Sequence, residues 1–421
     1  MTTAVLDQVS LGYQLYWNAL REPAAVALSV GVQGRPAVNG LAFLQVLRQR
    51  WPKEAIPLLV SVSADTLLSQ ILEHGATDSP GLIVDEAQLR DAALARRVHQ
   101  AHQRGLTLLW RGEPGARPAA ALAPCFKRLI VTMTAQQALG GLRAARLKAR
   151  TGIAAGEPQP RGSVATGHIY AEVASRVLVD HCLDELDAWA VAGWPAEEVL
   201  DGYRRRLVQP SRQVVTRLLE AIDADDPPDT LVDLLHGEAI LAYRLLRYAN
   251  SAGLGLRVPV ESLAHAVKAL GYAQLRGWLR EQLPRASSDL DLLPISATLA
   301  LRARLMAQLQ MLCSGATNPE VQLCGLLSQM DLLLGEPLAQ ALARLPLPAP
   351  LKAALLTQSG PYQAALEIAL ALESPHTDRT RLLCELHETD HGLVNQTLLN
   401  TLAQTRYVSG PLTTSLRSTA I

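Results

Sequence analysis

The chain has 421 residues, 49% apolar and 19% charged, and its 39 basic side chains are matched by 39 acidic ones. Disorder needs low hydrophobicity and high net charge, so a disordered chain is excluded, and a neutral balance speaks against a strongly basic nucleic-acid binder. No apolar run reaches the roughly 18 residues of a membrane span, and the length favours two or three domains.

The opening segment, MTTAVLDQVSLGYQLYW, has no basic stretch followed by an apolar core. It does not read as a signal peptide, and a cytoplasmic location is expected. The five cysteines are widely spaced and form no CxxC, so they are expected to be buried small hydrophobes in a reducing compartment.

Residues 57–63 (PLLVSVS) and 81–85 (GLIVD) read as strands. From 86 to 104, Leu89, Ala92, Ala93, Ala95 and Val98 fall at helical spacing, and Gly105 ends that helix. Strands follow at 106–110 (LTLLW) and 127–131 (KRLIV), then a helix over 135–150. This alternation indicates βαβ units and a parallel sheet. Apolar strands without alternation fit a sheet covered by helices. Residues 151–167 are rich in Gly, Pro, Ser and Thr and read as a loop, and 169–173 (IYAEV) resumes a strand pattern.

From about residue 195 onward the pattern is helical. A helix over 214–222 is followed by a break at 223–228 and a second helix that Asp229 or Thr230 would cap. Further helices are expected at 240–249, 295–311, 321–334, 337–344, 350–358, 363–372 and 382–387. The domain boundary is expected near 196–210, and residues 406–421 read as a frayed tail.

Residue chemistry alone points to no reaction. His99 and His102 share a polar helix face without an acidic partner, and His387, Glu388, Asp390 and His391 cluster at a helix end. None of the ten histidines is followed by Asp, and His236 precedes Gly237. That speaks against a metal-dependent phosphohydrolase of the all-helical type. Arg204, Arg205 and Arg206 could meet phosphate but follow Glu197, Glu198 and Asp201. No phosphate-binding G-x-x-x-x-G-K-[ST] and no G-x-S-x-G elbow is present.

One stretch carries a family likeness. Residues 229–252 (DTLVDLLHGEAILAYRLLRYANSA) hold Leu245-Leu246, then Asn250-Ser251-Ala252. Ala266, Leu270-Gly271 and Leu275-Arg276-Gly277-Trp278 follow. This resembles an HDOD domain, the all-helical relative of HD phosphohydrolases, over about 212–400. The resemblance implies a module that binds signalling proteins and lacks its relatives' metal ligands. Asn250 and Ser251 would turn the chain between helices, and Gly271 would end one.

The first half resembles an EAL domain, the cyclic-di-GMP phosphodiesterase barrel. Gly12-Tyr13-Gln14-Leu15, Val60-Ser61-Val62-Ser63, Ile169-Tyr170-Ala171-Glu172-Val173 and 182–186 with Gly193-Trp194 stand at its motifs. The metal-binding residues depart from the pattern. Gln14 replaces a Glu, Ser61 an Asn, and Arg111 and Gly112 paired Asp. Val131-Thr132-Met133 has neither the Lys nor the Asp of its strand, and Ala192 replaces a Gln. Glu172 keeps its motif's first acid, and Asp85 or Glu86 stands near another. A cation about 4 Å from a divalent metal would repel it by roughly 8 kcal/mol at an effective dielectric near 20.

The expectation is therefore a degenerate EAL-type α/β barrel (1–196), a linker (197–211), an all-α HDOD domain (212–405) and a tail (406–421). The resemblance implies a non-catalytic signalling adaptor with no metal, no cofactor, no nucleic-acid partner and no membrane span. The alternative is a cyclic-di-GMP effector that binds without hydrolysis, with Gln14, Ser61, Arg111 and Glu172 as its remnant site. An active phosphodiesterase is the least favoured reading, and the long loop at 151–167 and several weak strands are compatible with an incomplete or distorted barrel.

Overall fold

The computed structural model describes residues 3–32, 38–151, 167–203, 207–254, 258–315 and 320–405. The chain divides into two compact units, one built mainly from residues 13–194 and the other mainly from 195–401.

The first unit is a closed barrel whose strands follow the chain order. They are β1 (Val9–Trp17), β2 (Pro23–Val32), β3 (Leu58–Val62), β4 (Gly81–Asp85), β5 (Leu108–Arg111), β6 (Arg128–Thr132), β7 (Ile169–Ala171) and β8 (Ala190–Ala192). Strands β2 to β8 are parallel to one another, and β1 runs antiparallel to β8 with Tyr16 opposite Ala192. Closure leaves no exposed sheet edge, so the barrel is complete rather than partial.

The interior is filled by Tyr16, Ala25, Ala27, Leu59, Ile83, Leu109, Ile130, Ile169, Ala190 and Ala192. In β2 the alternate residues Val26 and Leu28 are also fully buried, as expected of a strand covered on both faces. The β1–β2 turn is pinned by Arg21, which bonds both carboxylate oxygens of Asp184 at 2.6 and 2.8 Å and Asp180 at 2.7 Å.

Several boundaries differ from expectation. The helix expected over 86–104 is a short 3-10 turn (Gln88–Arg90) and a helix (Ala92–Gln103), because the Asp91 carboxylate accepts from the Ala93 amide and restarts the chain. Gly105 follows with φ +83. Strand β7 stops at Ala171, since Glu172 takes φ 56 and cannot continue the ladder. The loop expected over 151–167 falls almost wholly outside the described residues, as do Arg204, Arg205, Arg206 and the tail from 406.

The second unit is helical. The helix expected to start at Asp229 or Thr230 begins at Pro228 with no side-chain cap. Proline suits a first-turn position because it has no N–H to leave unpaired. The helix expected over 321–334 is two, Glu320–Leu327 and Met330–Leu334. Helix Leu293–Ser314 runs through the core and buries Leu299, Leu305, Met306 and Leu309. Gly325 lets the next helix approach it closely: a Cβ there would lie 2.7 Å from the Ala303 Cα. Within this contact Arg302 bonds both oxygens of Glu373 at 2.7 and 2.6 Å and the Ser328 hydroxyl at 2.6 Å. No helix among the described residues is long and apolar enough to cross a membrane.

Candidate functional site

Parallel strands point their carboxyl ends to one mouth of the barrel, where ligands of such folds sit. At this mouth the ladders pair Ser61 with Ile83 and Asp85 with Arg111. Register therefore makes Asp85 and Arg111 direct cross-strand neighbours. The Arg111 Nε donates to Asp85 Oδ1 at 2.5 Å, and its Nη2 donates to Asp85 Oδ2 and to the Ser61 hydroxyl, each at 2.9 Å. Burial works against the guanidinium, but the Asp85 carboxylate outweighs it and holds the charge above its ordinary pKa. Below lies Tyr16, fully buried, whose phenol burial pushes up to about 12. At neutral pH this set is one ion pair and two neutral hydroxyls.

The neighbouring backbone supports the pair. The Glu86 amide donates to the Arg111 carbonyl at 2.7 Å, and the Asp85 amide donates to Gln88 Oε1 at 3.1 Å. Gly112 has no room for a side chain, as a Cβ would stand 2.1 Å from the Trp110 ring.

Of the four residues expected to form a remnant site, the structure joins Ser61 and Arg111. Gln14 lies in β1 against the β8 end: a Cβ on Gly193 would meet its Nε2 at 2.8 Å. Glu172 is exposed in the left-handed region just after β7. No hydrogen bond ties Gln14 or Glu172 to the Arg111 set among the described residues. The full partner of Arg111 is Asp85 rather than the adjacent Glu86. Only the β4–β5 register settles which acid faces inward.

The histidine clusters resolve into packing. His387 bonds Glu367 at 2.7 Å, Asp390 caps the last helix through the Leu393 amide at 2.9 Å, and His99 meets Cys125 at 3.6 Å. Burial holds His236 down at about 4. The described residues contain no group of three or more His, Cys, Asp or Glu able to hold a metal. Burial pushes the Cys182, Cys324 and Cys384 thiols up to about 12, which leaves them protonated and unreactive at neutral pH.

In the helical unit Asn250 follows helix Ala239–Ala249 and ties its last turn to the segment at Val260. Its Nδ2 donates to the Leu246 and Val260 carbonyls at 2.8 and 2.9 Å, and its Oδ1 accepts from the Val260 amide at 2.8 Å. Gly271, with φ +65, breaks the long helix Leu263–Gln282 in two. Trp278 then stacks on Tyr248, ring centroids 5.7 Å apart.

The chain is 26% identical over 168 residues to Uncharacterized protein YuxH of Bacillus subtilis (strain 168), a match covering 38% of this chain and 40% of that protein. The chain thus spans well under half the length of that relative. It is also 19% identical to the MmoQ response regulator of Methylococcus capsulatus str. Bath, over 47% of this chain and 71% of that one, with a TM-score of 0.23. That score is too low to bear on the fold. Residues 209–334, which carry Asn250, Gly271 and Trp278, match the HDOD domain.

Proposed function

We propose that this chain is a non-catalytic signalling adaptor that acts through protein–protein contacts of its HDOD-like unit, with a barrel derived from an EAL-type phosphodiesterase. The HDOD match supports a signalling association. The observation that carries the non-catalytic reading is the Arg111 guanidinium clamped on Asp85 and Ser61 at the carboxyl mouth. An EAL-type enzyme needs divalent metal there, held by anionic oxygen ligands. Here the inward carboxylate is already matched by a tethered cation.

A second reading is a metal-free cyclic-di-GMP effector. It is favoured by the 40% exposure of the Arg111 side chain, since an exposed guanidinium can still meet a phosphate.

Calorimetric titration of the full chain with cyclic di-GMP, with and without magnesium, separates them. No heat and no hydrolysis in either condition is the expected result. Micromolar binding without metal transfers the conclusion to the effector. Magnesium-dependent hydrolysis refutes both.

A further inference from the structure

The opposite mouth of the barrel holds a cavity of about 450 Å³ at the amino ends of β3, β4, β5 and β6. That volume lies within the roughly 300–1,000 Å³ of small-molecule sites. Leu59 and Leu109, which belong to the barrel interior, also line it, so it reaches the barrel core. Trp51 and Trp189 line its wall. The Trp51 indole is locked in place by its N–H, which donates to the Ile56 carbonyl at 2.9 Å.

The charge around this cavity is one-sided. Arg48, Lys53, Lys127 and Arg128 line it, against the single carboxylate of Asp78. Asp78 is committed to Arg48 at 2.9 Å. Lys53 and Lys127 are exposed and have no ion pair among the described residues. Arg128 lies 4.5 Å over the Trp189 ring and spends one N–H on the Gly167 carbonyl at 2.5 Å. Burial lowers its pKa, so it is a cation short of solvent. The Arg48 Nε is buried without a hydrogen-bond partner.

With Arg48 answered by Asp78, the two lysines and the partly desolvated Arg128 are the cations that stand around an apolar hollow without a carboxylate. An anion with a flat ring satisfies both features: its charge answers the lysines and Arg128, and its ring replaces water against the indoles and leucines. We infer that this amino-end cavity binds a small aromatic phosphate of mononucleotide size. The inference concerns the mouth remote from Arg111 and does not depend on the adaptor reading.

The test is calorimetry on the full chain with AMP as probe, with adenosine and inorganic phosphate as separate titrants and tryptophan fluorescence as a second readout. AMP is expected to bind and quench, and each fragment to bind at least about tenfold more weakly. The double variant Lys53→Ala/Lys127→Ala is expected to weaken AMP by about tenfold or more, the effect of losing a contact to a charged group. Ala55→Trp, which fills the cavity from its rim, is expected to abolish binding. Both variants change residues outside the barrel core, and far-UV ellipticity matching the parent verifies their fold. No AMP binding, binding unchanged in both variants, or either fragment binding as tightly as AMP would overturn the inference.

Discussion

Replacing Asn250 tests whether the signature residue of the helical unit is structural. Three hydrogen bonds at 2.8 to 2.9 Å join its amide to the Leu246 carbonyl and to both backbone groups of Val260. A net contribution of about 0.5–1.5 kcal/mol each puts Asn250→Ala at roughly 2–4 kcal/mol of destabilisation. Asn250→Asp is the sharper probe. It has nearly the same shape but turns the amide NH₂ into an oxygen facing two carbonyl oxygens. At pH 7 it is expected to be worse than alanine. The introduced carboxyl is favoured protonated in the folded state, so its folded pKa is raised. Stability is then recovered below the unfolded value near about 4 and lost as pH rises through the folded one. Urea unfolding, analysed as separate transitions for the two units, measures the loss, and amide exchange at Val260 reports it locally. An Asn250→Ala change within about 0.5 kcal/mol of the parent, or Asn250→Asp more stable than Asn250→Ala at pH 7, refutes the reasoning.

Three further outcomes follow from the buried polar groups and the helix break. Glu238 is buried at the start of helix Ala239–Ala249, and burial pushes its pKa from 4.5 to about 7 while its carboxylate accepts from the Leu241 amide at 2.5 Å. Its folded pKa is raised, so its contribution is intact below 4.5 and lost as pH rises through 7. Glu238→Gln, which can still accept that hydrogen bond, is expected to stabilise by up to about 3 kcal/mol at pH 8 and to change little at pH 4 in urea titrations. Glu373→Gln strands the Arg302 guanidinium, whose side chain is 3% exposed. It is expected to cost about 3–5 kcal/mol, with the apolar double variant Arg302→Met/Glu373→Leu milder in thermal melts. Gly271→Ala meets no atom within 4 Å but must hold φ +65 with ψ 167, a combination essentially reserved for glycine, so it should cost about 1–3 kcal/mol from backbone strain alone.

How much was legible depended on strand length and on what fills the barrel. Strands β3 to β6 are short runs of Leu, Val and Ile and read directly from the chain. Strand β2 did not, because its inward positions are Ala25 and Ala27. Alanine favours helices by propensity and sits here only because a closed barrel has little room inside. Strand β7 is legible at 169–171, whereas β8 has three residues, Ala190–Ala192, too few for a period to emerge. The final helix, His391–Gln404, buries Val394, Leu398, Leu399 and Leu402. That spacing is helical, but Asn395, Thr397, Asn400 and Thr401 between them mask it. At the mouth, Arg111 and Ser61 stand at positions that the resemblance to the family motifs marks. Their partner Asp85 needed the register of two strands, which no local pattern carries.

On the proposed reading, the Arg111–Asp85 pair is a way for a barrel to lose chemistry without losing its fold. Removing one partner of a partly buried pair strands the other charge, and that is the costly step. A carboxylate retained at the mouth therefore needs a cation, from solution or from the chain. A guanidinium meets the requirement by its charge and its two parallel donors. It does not withdraw electron density from a bound water as a divalent metal does, so it cannot generate hydroxide at neutral pH. On the proposed reading, arginine at this position keeps the electrostatic balance of the mouth while removing what hydrolysis depends on. The tether also makes that balance independent of metal concentration, which suits a barrel retained as a scaffold.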